Sequence, residues 1–410
     1  MGSRNKTRYV VLLGDGMADR PLKELGGKTP LQAARTINMD KLASQGEAGS
    51  VRTIPEGFHP GSDIANLSIM GYDPKRYYSG RAPLEAASMD IRLKDNDVAY
   101  RCNLVTLKFS KDKKNAVMED YSAGHIETEE ARILINDLNG YLNKDDISFY
   151  PGVSYRHLML WKAGEVKAEC IPPHDITGKE IGDYLPVGSG EEVLKELMIK
   201  SADFLHAHPI NKERINRGLR PANSIWLWGQ GKRPTMPTFK EKYGIEGALI
   251  SAVDLTKGIG IYAGFRIINV IGATGYLDTN YTGKAEAAIE ALNDVDFVYL
   301  HVEAPDEAGH SGNYKDKIKA IEDFDGLVVG HVMKGLEGRF KDYRVLLLPD
   351  HATPIKVKTH TDEPVPFVIY NSRIKINNEG VTFDESILKR KDIAVFEEGY
   401  KLMDYFIKGK

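Results

Sequence analysis

The run Tyr9-Val-Val-Leu-Leu13 is apolar at every position and ends in Gly14-Asp-Gly16. An unbroken apolar run of this length suits a parallel strand covered on both faces, and the glycines mark a tight turn after it. Asp15 is therefore expected at a strand's carboxyl end. From Pro30-Leu31 a helical spacing of apolar residues continues through Leu42 and stops at Gly46, a residue suited to a helix C-terminus. The same strand-then-helix order returns late in the chain. Phe297-Val-Tyr-Leu-His-Val302 is followed by a polar loop and an amphipathic run with Ile318, Ile321, Phe324, Leu327 and Val328. Arg344-Val-Leu-Leu-Leu348 predicts another strand, ending in Pro349-Asp-His351, and Val365 to Tyr370 one more.

Between these α/β portions the texture changes. Helical runs at Ile126 to Leu142 and Glu191 to Leu205 mix with strand-like pieces at Val153 to Trp161 and Ser224 to Trp228. This predicts an α+β domain, residues 92–235, inserted into a discontinuous core of residues 1–91 and 236–410. Gly229-Gln-Gly-Lys-Arg-Pro-Thr-Met-Pro237 is the expected return hinge.

A chain of 410 residues with 42% hydrophobic content can bury a large core without metal or disulfide support. Its 55 basic and 58 acidic residues leave a net charge of -3, which argues against a general nucleic-acid binder. Any anionic ligand must then be held by a local cluster. Cys102 and Cys170 are too few for a disulfide framework and suit a reducing cytoplasm. No apolar run reaches the length of a signal-peptide core or a membrane span.

The C-terminal third concentrates metal-type side chains: Asp306 and His310 in Pro305-Asp-Glu-Ala-Gly-His310, the pair Asp350-His351, and His360 in Lys358-Thr-His-Thr361. With Asp15 the set holds carboxylates and imidazoles but no thiol, which suits Mn²⁺, Zn²⁺, Co²⁺ or Fe²⁺ in a catalytic setting rather than structural zinc. Several of these residues follow predicted strands, and ligands of open parallel sheets gather at strand carboxyl ends. The set exceeds what one open catalytic ion needs and suits two, an arrangement that stabilises a transferring phosphoryl group.

Ser62, in Phe58-His-Pro-Gly-Ser-Asp-Ile-Ala-Asn66, is the candidate nucleophile. Pro60 and Gly61 impose a turn before a helix, whose N-terminus favours an alkoxide and a phosphate. Taken singly, Asp15 reads as a turn aspartate and Ser62 as an N-cap more readily than as catalytic groups. Their weight comes from occurring together with the ordered histidines. His301 reads as a core or supporting residue within its strand, and His206, His208 and His331 as structural or solvated.

Asp15, Ser62, Asp306-x-x-x-His310, Asp350-His351 and His360, in that order, resemble the metal and nucleophile set of the cofactor-independent phosphoglycerate mutases of the alkaline-phosphatase superfamily. The resemblance is to the archaeal-type branch, through Gly14-Asp-Gly-Met-Ala-Asp-Arg-Pro21, His59-Pro-Gly-Ser-Asp-Ile-Ala-Asn-Leu-Ser68, Gly71-Tyr-Asp-Pro74 and Gly80-Arg-Ala-Pro-Leu-Glu85, and it runs over essentially the whole chain. It implies an alkaline-phosphatase-like α/β core, its mainly parallel sheet flanked by helices, with the inserted domain as a substrate-binding cap. It also implies that Asp306, His310 and His360 hold one divalent ion and that Asp15, Asp350, His351 and Ser62 hold another. Manganese is the common choice, with zinc, cobalt or magnesium as alternatives, and 2,3-bisphosphoglycerate is not needed.

The implied enzyme is a cytoplasmic isomerase of glycolysis and gluconeogenesis that acts on a small phosphoglycerate, with no nucleic-acid or membrane partner. Ser62 would accept the phosphoryl group of 3-phosphoglycerate and return it to the other hydroxyl while the cap excludes water. Candidate substrate-binding groups in the cap are Arg156, His157, His174, Asp175, Asn216, Arg217 and Arg220. Lys257, in Ala252-Val-Asp-Leu-Thr-Lys-Gly258, is a candidate phosphate-stabilising residue of the core. The competing expectation on the same core is a metal-dependent phosphatase, phosphopentomutase or phosphonate hydrolase. A non-catalytic metal or phosphometabolite binder would have little use for an activated serine.

Overall fold

The structure, a computed structural model, describes residues 6–110, 115–142, 144–374 and 376–409. It divides into two units, Met1–Tyr78 with Thr235–Lys410, and Ser79–Pro234. The first is built on an eight-stranded sheet in the order Ala394–Phe396, Glu47–Val51, Val365–Asn371, Tyr343–Leu348, Arg8–Gly14, Phe297–Val302, Gly247–Ile250, Arg266–Ile267. The last five run parallel. Val365–Asn371 is antiparallel to both its neighbours.

The central strands are mostly apolar because both faces are covered. Val10, Val11, Leu12, Leu13, Val298, Leu300, Leu346 and Leu347 are fully buried. Burying each such side chain contributes roughly 1.5–3 kcal/mol. Leu13 lies opposite Leu348, and Gly14 opposite Val302. Three parallel strands therefore end side by side, and whatever follows each of them is delivered to one edge.

The helical stretch expected from Pro30 through Leu42 is two helices, Pro30–Ala33 and Ile37–Gln45. Ala34 leaves the helical region. The second helix starts afresh because the Asp325 carboxylate accepts from Asn38 N at 3.2 Å and Met39 N at 2.7 Å, capping its first turn from a distant part of the chain. Gly46 ends it, and a Cβ there would press on the Ile369 and Leu42 carbonyl oxygens. The later amphipathic run is likewise interrupted: Tyr314–Asp323 passes through a π-helical turn, Phe324–Val329, into Gly330–Arg339.

In the second unit Val98–Phe109 pairs antiparallel with Ala116–Asp120, Arg156–Trp161 and Ser224–Lys232, and Ile147–Tyr150 pairs with Arg156–Trp161. Thr128–Leu142 and Glu191–Ala207 supply Leu134, Leu138, Leu194 and Leu197 to its core. The unit starts before position 92 because Arg81–Ser88 packs Ala82 and Ala86 on Ala99, Leu158 and Leu160. Gly229 to Lys232, expected in the return hinge, continues the Ser224–Lys232 strand, with Gly231 opposite Ala99 and Lys232 opposite Val98. No helix among the described residues is long and apolar enough to cross a membrane.

One buried ion pair fastens the loop after the first strand of the first unit. Lys317 Nζ donates to Asp19 Oδ2 at 2.8 Å, Thr353 O at 2.8 Å and Ala18 O at 3.1 Å, with both charged side chains fully buried. Removing one partner leaves the other charge uncompensated in a dry interior, at a cost of about 3–5 kcal/mol. Lys317→Met is expected to lose about that much in urea unfolding, and Lys317→Met with Asp19→Asn to recover most of it. A loss in the double variant equal to the sum of the losses in Lys317→Met and Asp19→Asn would show that the pair is not coupled.

Candidate metal centre and nucleophile

Asp15 follows the Arg8–Gly14 strand directly, and Asp350 and His351 follow Tyr343–Leu348. Asp306 and His310 lie one helical turn apart on Ala304–Ser311, which starts just after Phe297–Val302. The side-by-side strand ends thus bring together residues far apart in sequence. Ser62 opens the helix Ser62–Ile69, with Gly61 as its N-cap.

All seven residues expected in the metal and nucleophile set lie in one connected cluster. Ser62 Oγ is 3.0 Å from His351 Nε2, which lies 3.4 Å from Asp15 Oδ1 and 3.5 Å from Asp350 Oδ2. His310 Nε2 is 3.1 Å from Asp306 Oδ2 and 2.9 Å from His360 Nε2, and His360 Nε2 is 3.5 Å from Asp306 Oδ1. The His351 and His360 ring centroids are 4.2 Å apart and join the two groups.

The histidines are oriented by what their other nitrogens touch. His310 Nδ1 is 3.0 Å from Lys358 O, and His360 Nδ1 is 3.4 Å from Pro60 O. A carbonyl only accepts, so each Nδ1 carries a proton, and each Nε2 is left facing the cluster as the atom a metal ion would take in exchange for any proton held there. His301 is used differently. Its Nε2 donates to Asp15 Oδ2 at 2.9 Å, while the Ser251 hydroxyl, 3.2 Å from its Nδ1, accepts from Val253 N at 3.0 Å. Burial holds the imidazole down to about 4, so it stays neutral and supports Asp15.

Two features of the site itself call for cations. Asp15 Oδ1 is buried with no hydrogen-bond partner among the described residues. Donor atoms of Asp306, His351 and His360, and separately of Asp15, His301 and Asp350, lie within 4.8 Å of one another. The donor chemistry fits divalent metal, since hard carboxylates and neutral imidazoles converge with no thiol among them. Burial and the Asp350 and Asp306 charges push the Asp15 carboxyl well up. Burial pushes Asp306 the same way, but hydrogen bonds to His310 and His360 outweigh it and hold that carboxyl well below the usual range. The bond to Asp306 in turn raises His310 to about 9.

Glu303, absent from the expected set, lies beside Asp15 and Asp306, with one carboxylate oxygen of each within 4.8 Å of the others. Burial and the Asp306 charge raise it to about 8. Its place directly after the Phe297–Val302 strand was the available signal, by the strand-end rule applied to Asp15. Gly16 is needed here as glycine. Its φ is +59°, a Cβ would strike the Asp306 side chain, and its N–H donates to Asp350 Oδ1 at 3.0 Å.

The candidate substrate-binding residues are dispersed. Arg156 and His157 point to opposite faces of their strand. Arg156 is exposed, whereas His157 is 2% exposed, accepts from Gly152 N at 3.0 Å and is pushed down by burial to about 3. His174 and Asp175 are the exposed pair of the turn Pro173–Ile176, 3.6 Å apart, with the His174 ring against Tyr121 and Trp228. Asn216 ends the helix Pro209–Asn216. Arg217 is paired with Glu130 at 3.5 Å, and Arg220 with Asp120. Lys257 is half-buried on Asp254–Tyr262 in the first unit and lies within electrostatic reach of Lys284.

A protein of Methanosarcina acetivorans named 2,3-bisphosphoglycerate-independent phosphoglycerate mutase is 55% identical over 391 residues, 95% of this chain and 96% of its own. The chain belongs to the 2,3-bisphosphoglycerate-independent phosphoglycerate mutase family. A profile of that family matches residues 43–211. A relative of the same name from Methanosarcina barkeri is 52% identical, covering 98% of this chain and all of its own. Among solved structures, a Pyrococcus horikoshii protein superposes with a TM-score of 0.83 at 29% identity, covering 98% of this chain and 97% of its own. The family's name is that of an isomerase, and the clustered carboxylates and imidazoles offer candidate ligand groups for divalent metal.

Protons and metal compete for the same atoms, so affinity follows the raised groups. His310 near 9 and Glu303 near 8 hold protons at neutral pH that metal must displace or that repel it. Raising pH strips them, and manganese affinity of the metal-free protein is expected to climb between pH 6.5 and 9, by up to about tenfold per pH unit for each proton displaced. Calorimetric titration in buffers of differing ionisation enthalpy reads both the affinity and the protons released. A pH-independent affinity with no proton release would contradict it.

Proposed function

We propose that the chain interconverts 3-phosphoglycerate and 2-phosphoglycerate through a phosphoserine at Ser62. It is an isomerase of glycolysis and gluconeogenesis, independent of 2,3-bisphosphoglycerate, as its family is. The observation that carries the route is the Ser62 hydroxyl, 3.0 Å from His351 Nε2 at the edge of the carboxylate and imidazole cluster.

Asp306, His310 and His360 would hold one divalent ion, and Asp15, Asp350, His351 and Ser62 a second, with manganese the first choice. Bound there, such ions would favour ionisation of the serine hydroxyl and offset the charge of the transferring phosphoryl group. Ser62 Oγ forms a bond to phosphorus as the bond to the glycerate 3-oxygen breaks. The proton lost by the serine balances the one gained by that oxygen. The glycerate 2-hydroxyl then attacks the phosphoserine, releasing 2-phosphoglycerate and restoring Ser62. Water is neither consumed nor released.

The second unit is assigned the role of a cap, binding the substrate's carboxylate and keeping water from the phosphoserine. Arg156, Arg217 and Arg220 suit that anion, the last two by exchanging their present carboxylate partners. His174, Asp175 and Asn216 lie on the exposed surface of the same unit, and Lys257 is assigned to the phosphate in the first. The phosphatase, phosphopentomutase and phosphonate hydrolase readings are not favoured, given relatives above 50% identity named as mutases.

Ser62→Ala is expected to lose mutase activity by roughly 10³-fold or more in an enolase-coupled assay while still binding manganese. Wild-type turnover in that variant would remove Ser62 from the reaction. Release of inorganic phosphate as the main product of the unmodified protein would favour hydrolysis over isomerisation.

A further inference from the structure

Asn66 lies one helical turn beyond Ser62 and is fully buried. Its amide nitrogen donates to Ser62 O at 2.8 Å and to Asp350 Oδ2 at 2.9 Å. Its amide oxygen accepts from the Tyr299 hydroxyl at 2.7 Å. Tyr299 is a fully buried residue of the Phe297–Val302 strand. The other Asp350 oxygen accepts from Gly16 N at 3.0 Å and His351 N at 2.9 Å.

We infer that Asn66 and Tyr299 form a positioning relay that ties the Ser62 helix to the Asp350 carboxylate. The chemistry of the three groups sets the direction of the relay. A carboxylate and a carbonyl accept only, so the Asn66 nitrogen must face them, and its oxygen must face away. In that orientation the oxygen meets a phenol that can donate. A flipped amide would place its oxygen against the Asp350 carboxylate and its N–H₂ against the tyrosine hydroxyl. Asp350 and Ser62 O fix which way the amide points, Tyr299 holds its oxygen in place from the far side, and Asn66 fixes the distance between nucleophile and ligand.

A side chain that only filled space would be replaced by phenylalanine without consequence, since Tyr299→Phe removes one oxygen. Loss of an outer hydrogen bond to a metal-binding group instead costs about 10–100-fold in metal affinity or activity. Removing both members of a relay costs no more than removing the link between them, because the second has nothing left to act through.

The inference rests on the reading of Ser62 as nucleophile and Asp350 as ligand, and a double-mutant cycle tests it on the full chain. Tyr299→Phe, Asn66→Ala and the double variant are compared for kcat, KM, melting temperature and calorimetric affinity for manganese chloride. Tyr299→Phe is expected to lower kcat and manganese affinity each by about tenfold, with KM and melting temperature near wild type. On the Asn66→Ala background the same change should have no further effect. Wild-type kcat and affinity in Tyr299→Phe, a loss confined to KM or melting temperature, or effects that multiply in the double variant would overturn the relay. Should Asn66→Ala fail to fold, Tyr299→Phe alone decides. Wild-type turnover of Ser62→Ala would sink the nucleophile reading, while the calorimetric arm still reports whether the pair holds Asp350.

Discussion

Carboxylates crowded into a dry space are the constraint on which the rest of the first unit turns. Asp15, Asp306 and Asp350 are buried at neighbouring strand ends, with Glu303 beside them. Like charges this close in a poorly solvated site repel by several kcal/mol, and burial alone already disfavours each anion. A chain can keep such a cluster only by supplying compensating hydrogen bonds and by leaving donors that a cation completes. Backbone N–H groups at Gly16 and His351 and the Asn66 amide hold Asp350. His301 holds one oxygen of Asp15 and leaves the other without a hydrogen-bond partner among the described residues. That orphaned oxygen, in a site otherwise well supplied with partners, is what divalent metal would complete.

Much of this was legible in the sequence because strand-end chemistry is local. A run such as Tyr9 to Leu13 followed by Gly-Asp-Gly states both a buried strand and the residue it delivers, and the run from Arg344 to Leu348 before Asp350 does the same. What escaped depended on distant partners. The break at Ala34 follows from a cap supplied by Asp325, nearly three hundred residues away in the chain, which no local pattern announces. The strand through Gly231 looked like a hinge because glycine and proline dominate its composition. In the structure a Cβ at Gly231 would meet the Ser79 carbonyl, so glycine there permits close backbone approach rather than a turn. Glu303 has no motif partner, and Asn66 is one position in a longer motif; both acquire meaning from residues brought in by the sheet.

The cationic candidates of the second unit were less legible for a different reason. Basic residues at a surface read alike whether they bind a ligand or a neighbouring carboxylate. Arg217 and Arg220 are paired with Glu130 and Asp120, and the Asp120 carboxyl, despite the upward push of partial burial, is lowered by bonds from Ser122 and Arg220. Such pairs at a partly exposed surface contribute about 0–1 kcal/mol, little enough to be exchanged for a charged ligand. Spacing in sequence cannot distinguish that exchange from a permanent structural role. His157 shows the limit of adjacency: the neighbour of an exposed arginine on a strand is, by the alternation of faces, a core residue.

The same geometry separates two readings of Ser62 that its sequence context leaves open. A serine in the N-cap position spends its hydroxyl on a backbone N–H of the first turn. Gly61 takes that position instead, extended at φ -172° and ψ 151°, and has no side chain to cap with. Ser62 is then the first helical residue, and its hydroxyl faces His351 rather than its own helix. A glycine cap weakens the helix start only slightly relative to serine, by a few tenths of a kcal/mol. The helix end is secured elsewhere, through the Asn66 bond back to Ser62 O and through Asp350. Moving the cap one residue upstream thus leaves the serine oxygen available at the edge of the cluster, held by a turn whose stability does not depend on it.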